Sequence, residues 1–190
     1  MSVPVPHTAM VLAAGLGTRM RPLTDDCPKP LIKVRGKALI DRMLDPLVAA
    51  GVKRAVVNVH YLADQVEAHL KSRTDIEIII SDERGDVLET GGALAKARPL
   101  LGDDPILVAN TDAFWEPAGP EPVEALADAF DPAAMDALLL VADTGRTLGF
   151  GGPGDFFRHE DGSMTRRGDA PSAPYAFCGL RLIRPQLYDN

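Results

Sequence analysis

The sequence predicts an α/β fold: a mainly parallel mixed sheet with helices packed on it as a three-layer sandwich. Three observations predict it. Short apolar runs of strand length alternate with stretches of helical spacing, and the first such run stops at a glycine-bearing loop. The successive strands are separated by helix-length crossovers, which parallel pairing requires. The 190 residues suit a single domain over 1–190, since domains usually hold roughly 100–200 residues.

Met10–Ala14 is continuously apolar before Gly15 and reads as the first buried strand. In Leu39–Ala50 the residues Leu39, Ile40, Met43, Leu44, Leu47 and Val48 recur at helical spacing, and Gly51 supplies a stop. Ala55–Val59 is a strand, Ala63–Lys71 a helix with Val66 and Leu70 on one face, and Ile76–Ile80 a strand. Thr90–Leu100 reads as helix, Pro105–Ala109 as strand, Val123–Phe130 as helix and Ala137–Ala142 as strand. Beyond it Gly149, Gly151, Gly152 and Gly154 cluster near Pro153. Two short strands, Asp155–His159 and Ser163–Arg166, joined through Glu-Asp-Gly, then form a hairpin expected to cover the open end of the sheet. Ala176–Ile183 closes the pattern as a late strand, with no internal repeat or low-complexity linker.

Hydrophobic residues are 46% and charged residues 25% of the chain, ordinary for a soluble protein. The net charge of -7 disfavours nucleic acid and anionic membrane as partners, so an anionic small substrate needs a local cluster of cations. Cys27 and Cys178 form no CxxC or Cys/His metal spacing. No Lys or Arg precedes Arg19 and the first apolar run is only strand-length, so neither a signal peptide nor a membrane span is expected and the location is cytoplasmic.

The chemistry concentrates after the first strand. Leu12-Ala13-Ala14-Gly15-Leu16-Gly17-Thr18-Arg19-Met20-Arg21-Pro22-Leu23-Thr24 carries two glycines, which let backbone N–H groups approach phosphate, and two arginines, which add bidentate bonds. The Walker spacing is absent, and the dinucleotide pattern fails where Met20 stands in place of glycine. Further on, Pro28-Lys29-Pro30-Leu31 braces one lysine between two prolines and so fixes its direction. A pre-set cation suits phosphoryl chemistry, where the protein holds oxygens in line and neutralises developing charge.

Leu12–Arg19, Arg21-Pro22-Leu23-Thr24 and Pro28-Lys29-Pro30-Leu31 together resemble the sugar-1-phosphate nucleotidyltransferases almost letter for letter. The resemblance implies their Rossmann-like fold, of nucleotide-diphospho-sugar transferase type. It implies that Leu12, Ala13, Ala14, Gly15, Gly17, Thr18, Arg19 and Lys29 hold the nucleotide. Arg19 would stabilise the departing β,γ-phosphates and Lys29 would bridge the α-phosphate and the incoming phosphate, as catalytic groups.

Other segments fit the same picture. Leu107–Asp112 puts an acid directly after a buried strand, where a carboxylate can hold Mg²⁺; the resemblance gives Asp112 that role, and a turn-capping aspartate is its plain alternative. Glu89-Thr90-Gly91-Gly92 opens a helix with Thr90 as a candidate cap and resembles the family's base-binding loop, with Glu89, Thr90, Gly91 and Gly92 against the nucleobase. The resemblance puts Asn110 and Gly179, the latter in Phe177-Cys178-Gly179-Leu180, on the sugar side, Gly179 alternatively marking a strand bulge. His60 reads as structural, with lining the pocket as its alternative, Cys27 as a loop thiol, Cys178 as a strand residue, and Phe114 and Trp115 as packing, with covering a sugar face as theirs.

The reaction so implied joins a nucleoside triphosphate to a sugar 1-phosphate and releases pyrophosphate, without a covalent enzyme intermediate. The short chain and the two later blocks look most like the uridylyltransferases that act on N-acetylmuramate 1-phosphate in peptidoglycan recycling; mannose-1-phosphate guanylyltransferases share the first two blocks and are the alternative. The family carries a second metal-binding aspartate in a Trp-x-Asp-x-Gly-Thr-like stretch, which does not occur before Asn190. The expectation is therefore a domain lacking its C-terminal end or an incomplete metal site, and a non-catalytic nucleotide- or sugar-sensing subunit is the reading from a second class.

Overall fold

The computed structural model describes residues 3–115, 119, 121–147 and 150–189. In chain order the elements are strand β1 (Thr8–Leu12), the two-residue strands β2 (Lys33–Val34) and β3 (Lys37–Ala38), helix α1 (Leu39–Ala49), β4 (Arg54–Val59), α2 (Ala63–Leu70), β5 (Glu77–Asp82) and α3 (Thr90–Leu101). There follow β6 (Ile106–Asn110), α4 (Pro122–Ala129), β7 (Ala137–Asp143), β8 (Phe156–Arg158), β9 (Met164–Arg166) and β10 (Tyr175–Ile183).

The expected alternation is present, with instructive shifts. β1 ends at Leu12, short of the predicted Ala14, because the Ala13 N–H leaves the ladder and donates to Asn58 Oδ1 at 2.7 Å. The β2–β3 ribbon, unforeseen in the sequence, turns through Arg35 (φ 50) and Gly36 (φ 79), two consecutive left-handed residues as in a type I′ hairpin. Thr90 is not the cap of α3: Glu89 stands at the N-cap, without a side-chain capping bond, and Thr90 is the first helical residue.

One eight-stranded sheet runs β5-β4-β1-β6-β10, with β7 on the far flank of β10. β5, β4, β1 and β6 are parallel, and β10 is antiparallel to both β6 and β7, so the sheet is mixed and mainly parallel. β10 overruns the carboxyl end of β6, and the β8–β9 hairpin pairs on that overhang through Tyr175 and Phe156. This puts the hairpin at the open end of the sheet, as expected. Of the nearby glycine cluster, Gly149 lies outside the described residues.

The strand pleat divides the core. Ala9, Val11, Val57 and Leu107 face α1, α2 and α4, whose Met43, Leu44, Leu47, Val66 and Val123 are buried against them, with Phe130 just beyond α4. Met10, Val56 and Val108 face the other way, onto Ala93, Leu94 and Ala97 of α3. From β1 the chain steps through β4 to β5 on one side and returns through α3 to β6 on the other. The strand order thus reverses between β1 and β6, and a crevice opens above such a reversal in parallel α/β sheets. Among the described residues no helix is long and apolar enough to cross a membrane.

Candidate active site

Leu12 and Asn110 are register partners at the ends of β1 and β6, so the loops leaving them start side by side at the crevice. They are also tied together: Thr111 donates from its N–H (3.4 Å) and its Oγ1 (3.0 Å) to the Leu12 carbonyl. The glycine loop then folds back over itself at Gly17, whose φ is 67. A Cβ on Gly17 would lie 2.8 Å from Thr24 Cγ2 and 3.2 Å from Lys29 Cβ, so the loop meets the Pro-Lys-Pro segment only because this residue is glycine. Buried Thr24 donates through Oγ1 to the Gly17 carbonyl at 2.8 Å, and the Tyr61 hydroxyl holds the carbonyls of Thr24 (2.9 Å) and Asp25 (2.8 Å).

The proline brace works as the sequence suggested. Pro28 is extended at φ -65, Pro30 is buried, and the Lys29–Leu31 turn closes by a 2.8 Å bond from Leu31 N–H to the Pro28 carbonyl. Lys29 is thereby aimed across the crevice, with Nζ 2.6 Å from Asp112 Oδ2. The lysine side chain is 19% exposed and the aspartate 39%, so both remain open to a ligand.

A cleft of about 430 Å³ lies here. The Leu12–Gly15 backbone forms part of its wall, and Val87–Gly91, which leads into α3, forms another. Lys29, Asp112 and Asn110 also line it. A second hollow, lined by Gly15–Met20, adjoins it through Gly15 and Lys29. Gly17, Thr18 and Arg19 belong to this second hollow, and Lys29 is the cation common to both. Arg19 is exposed and forms no ion pair or hydrogen bond among the described residues. Gly92 lines neither space: it faces Leu88, whose Cβ would lie 3.3 Å from a Cβ at that position.

A third cleft, of about 830 Å³, opens between α3, β7, β10 and the β8–β9 hairpin, and shares Thr90 and Asn110 with the first. Asn110 Oδ1 is buried and has no hydrogen-bond partner among the described residues, as an acceptor waiting for a ligand hydroxyl would be. Gly179 does not line this cleft but seats Asn110 from behind. Its φ is 77 at the irregularity in β10, and a Cβ there would come within 2.9 Å of Ala113 Cβ and 3.2 Å of Asn110 Cβ. Arg181 projects into the cleft with its guanidinium 5.5 Å from the Phe177 ring centroid, and burial pulls its pKa down.

Besides Arg181, two residues of the site escaped the sequence reading. Asn58, 2% exposed, accepts from Ala13 N–H and donates through Nδ2 to Glu83 Oε1 at 3.0 Å. Glu83 is fully buried. This chain from the end of β5 to β4 to β1 sets the backbone where the glycine loop begins. A lone Asn ending an apolar strand gives no periodic signal, and only strand pairing shows its use. His60 is structural, its Nδ1 2.6 Å from the Glu83 carbonyl oxygen. Cys27 and Cys178 are free; burial first, and then Asp155, raises the Cys178 pKa. Trp115 packs on the core, and Arg42 lies 4.9 Å over the Phe114 ring.

For a divalent cation, the described residues hold no cluster of three His, Cys, Asp or Glu side chains. Asp112 stands at the cleft with one carboxylate oxygen engaged by Lys29, and Mg²⁺ is commonly held by one or two carboxylates together with phosphate oxygens and water. The donor set therefore suits a magnesium that arrives with a polyphosphate.

Comparison with known proteins gives the family and the fold. The family model described as "Nucleotidyl transferase" matches residues 8–152. The N-acetylmuramate alpha-1-phosphate uridylyltransferase of Caulobacter vibrioides is 51% identical over 186 residues, spanning 96% of this chain and 77% of that protein. The mannose-1-phosphate guanylyltransferase catalytic subunit beta of Drosophila pseudoobscura pseudoobscura is 39% identical over 113 residues, 57% of this chain and 30% of that one. The inositol-1-phosphate CTP transferase of T. maritima superposes with a TM-score of 0.76 at 22% identity, covering 97% of this chain and 73% of that chain.

Proposed function

Since the chain belongs to the nucleotidyl transferase family, as a sugar-1-phosphate nucleotidyltransferase, we propose that it forms a UDP-sugar and pyrophosphate from UTP and N-acetylmuramate 1-phosphate. The observation that carries the chemistry is the meeting of Lys29 and Asp112 beside the glycine loop at the β1/β6 reversal. The choice of substrates rests on the 51% identity to the Caulobacter enzyme, and the shorter, weaker match to the guanylyltransferase makes GTP and mannose 1-phosphate the lesser reading.

The residues divide the work by position. The Leu12–Gly15 backbone and the segment from Glu89 to Gly91 hold the nucleotide, the first at its phosphates and the second at its base. Asn110 orients the acceptor sugar. An acceptor phosphate oxygen attacks the α-phosphorus in line, and pyrophosphate leaves toward the hollow of Gly17, Thr18 and Arg19, whose guanidinium neutralises the leaving charge. Lys29, open to both spaces, spans the two phosphates that react and lowers their mutual repulsion. Mg²⁺, held by Asp112, supplies further neutralisation of the triphosphate when bound. A protein of net charge -7 needs these cations concentrated at one place to admit two anionic substrates.

The test is pyrophosphate release by the purified protein with UTP and with GTP, each against N-acetylmuramate 1-phosphate and mannose 1-phosphate, with and without Mg²⁺. Turnover is expected with UTP and the amino sugar and to depend on the metal. Faster turnover with GTP and mannose 1-phosphate would overturn the substrate reading.

A further inference from the structure

Arg181 stands in the middle of β10, paired with Val108 of β6 on one side and Leu139 of β7 on the other. A central strand facing a cleft lined by Leu94, Leu139, Phe177 and Ile183 is an expensive place for a guanidinium. Its Nη2 is buried and has no hydrogen-bond partner among the described residues, and no carboxylate forms an ion pair with it. Phe177 stacks on it and contributes cation–π attraction, but offers no acceptor for the N–H groups. The carboxylate residue lining this cleft, Asp155, is turned elsewhere: its Oδ2 accepts the Phe177 N–H at 2.9 Å. Arg166 and Arg167 join Arg181 around the cleft, so the balance of charge there is positive in a protein that is negative as a whole. Arg167 is committed to the carbonyls of Gly154 (3.1 Å) and Ala170 (2.6 Å), which leaves half-buried Arg181 as the guanidinium with a buried donor, Nη2, still to give.

The position within the cleft says what the donors would meet. Arg181 is in register with Val108, two residues below Asn110 and on the same face of the sheet, whereas Lys29 and Asp112 lie above the strand ends. A sugar 1-phosphate with its phosphate at Lys29 and its ring over Asn110 therefore directs the far side of the ring toward Arg181. We propose that Arg181 is the acceptor-selecting residue of this enzyme and binds a carboxylate carried by the sugar, in a bidentate pair at the floor of the third cleft. This rests on the reading above, in which the acceptor is N-acetylmuramate 1-phosphate, an amino sugar that bears a lactyl ether carboxylate. A carboxylate completes the donor set of Arg181, and an acceptor without one leaves its buried Nη2 unpaired.

The experiment compares two acceptors that differ only in the lactyl ether that carries this carboxylate, N-acetylmuramate 1-phosphate and N-acetylglucosamine 1-phosphate, each with UTP and Mg²⁺. It uses the wild-type enzyme, Arg181→Met, which keeps the length and apolar contact of the side chain, and Arg181→Lys. The wild type is expected to favour the carboxylate-bearing acceptor by about 100-fold or more in kcat/KM. Arg181→Met should collapse that ratio to within about threefold, chiefly through KM, and Arg181→Lys should fall between. A ratio that survives in Arg181→Met, or equal losses on both acceptors, overturns the inference and leaves uridylyl transfer standing. Should Arg181→Met fail to fold, the ratio in the wild type and in Arg181→Lys decides, and equal use of the two acceptors by the wild type overturns the inference. A wild type idle on both amino sugars but active with GTP and mannose 1-phosphate overturns the substrate reading and this inference with it.

Discussion

Lys29 and Asp112, 83 residues apart in the chain, lie 2.6 Å from one another across the reversal between β1 and β6. Neither contacts the other by local necessity: a proline-braced turn delivers the lysine, and the end of a buried parallel strand delivers the aspartate. Lys29→Ala and Asp112→Asn are each expected to lower kcat/KM by about 10³-fold, the scale on which a charge that stabilises a transition state acts. Because both side chains are partly exposed, the melting temperature should change little. Losses under tenfold in either variant would remove that residue from the reaction.

Arg19 offers a cleaner separation of chemistry from stability, since it is exposed and has no protein partner among the described residues. Arg19→Ala should leave the circular dichroism spectrum and thermal unfolding unaltered while reducing turnover by about 100-fold or more. Arg19→Lys restores charge without the planar fork and should recover only part of the loss. Wild-type turnover in Arg19→Ala would show that the glycine loop holds the leaving phosphates by its backbone alone.

The contrast between these residues and those the sequence did not disclose has a physical basis. The glycine loop, Lys29 and Asp112 are legible because each joins a demanding residue type to a demanding local context: glycine before arginine, lysine between prolines, acid after a buried strand. Asn58, Glu83 and Arg181 have no such local context. Each lies in or directly after a strand, and its role depends on which strands lie beside it, which is a non-local fact. For the same reason the strands of the large sheet could be read one by one, but not the insertion of β10 against β6, nor the overhang that carries the β8–β9 hairpin.

Asn58 links the core to the glycine loop through one bond to Ala13 N–H and another to buried Glu83. Asn58→Ala would orphan both groups, at a cost of about 2 kcal/mol or more, which for a domain of this size is a fall of roughly 4–8 °C in Tm. The KM for the nucleotide should rise at the same time, because the freed Ala13 begins the loop. Calorimetry and steady-state kinetics on the one variant check both; a lower Tm with an unaltered KM would confine Asn58 to stability.

Gly179 makes a sharper demand on geometry. At φ 77 any side chain is strained, and a Cβ would be 2.9 Å from that of Ala113 and 3.2 Å from that of Asn110. Gly179→Ala is expected to cost about 1–3 kcal/mol and, by pushing Asn110, to raise the KM for the sugar phosphate more than that for the nucleotide. Equal effects on the two constants would mean that the strain is absorbed within β10.

The pH dependence of stability should centre on Arg73, which is 12% exposed and clamps Asp45 of α1 at 2.7 Å and Asp75 at 2.6 Å. Burial on its own would raise the Asp45 carboxyl, but hydrogen bonds from Lys37 and Arg73 outweigh it and hold its pKa below the ordinary value; for Asp75 the Arg73 bond is the largest cause of a shift in the same direction. Both carboxyls therefore bind protons less readily folded than unfolded. Their contribution is present above the unfolded carboxylate pKa of about 4 and is lost as pH falls through the lower, folded values. Arg73→Met should accordingly melt below the wild type at pH 7, by the equivalent of about 1–3 kcal/mol, and the gap should narrow on acidification from pH 5 to pH 3. Thermal scans of both proteins across that range measure the gap directly. A gap that stays constant with pH would mean that Arg73 stabilises the fold through packing of its aliphatic stem, with its ion pairs contributing nothing to the difference.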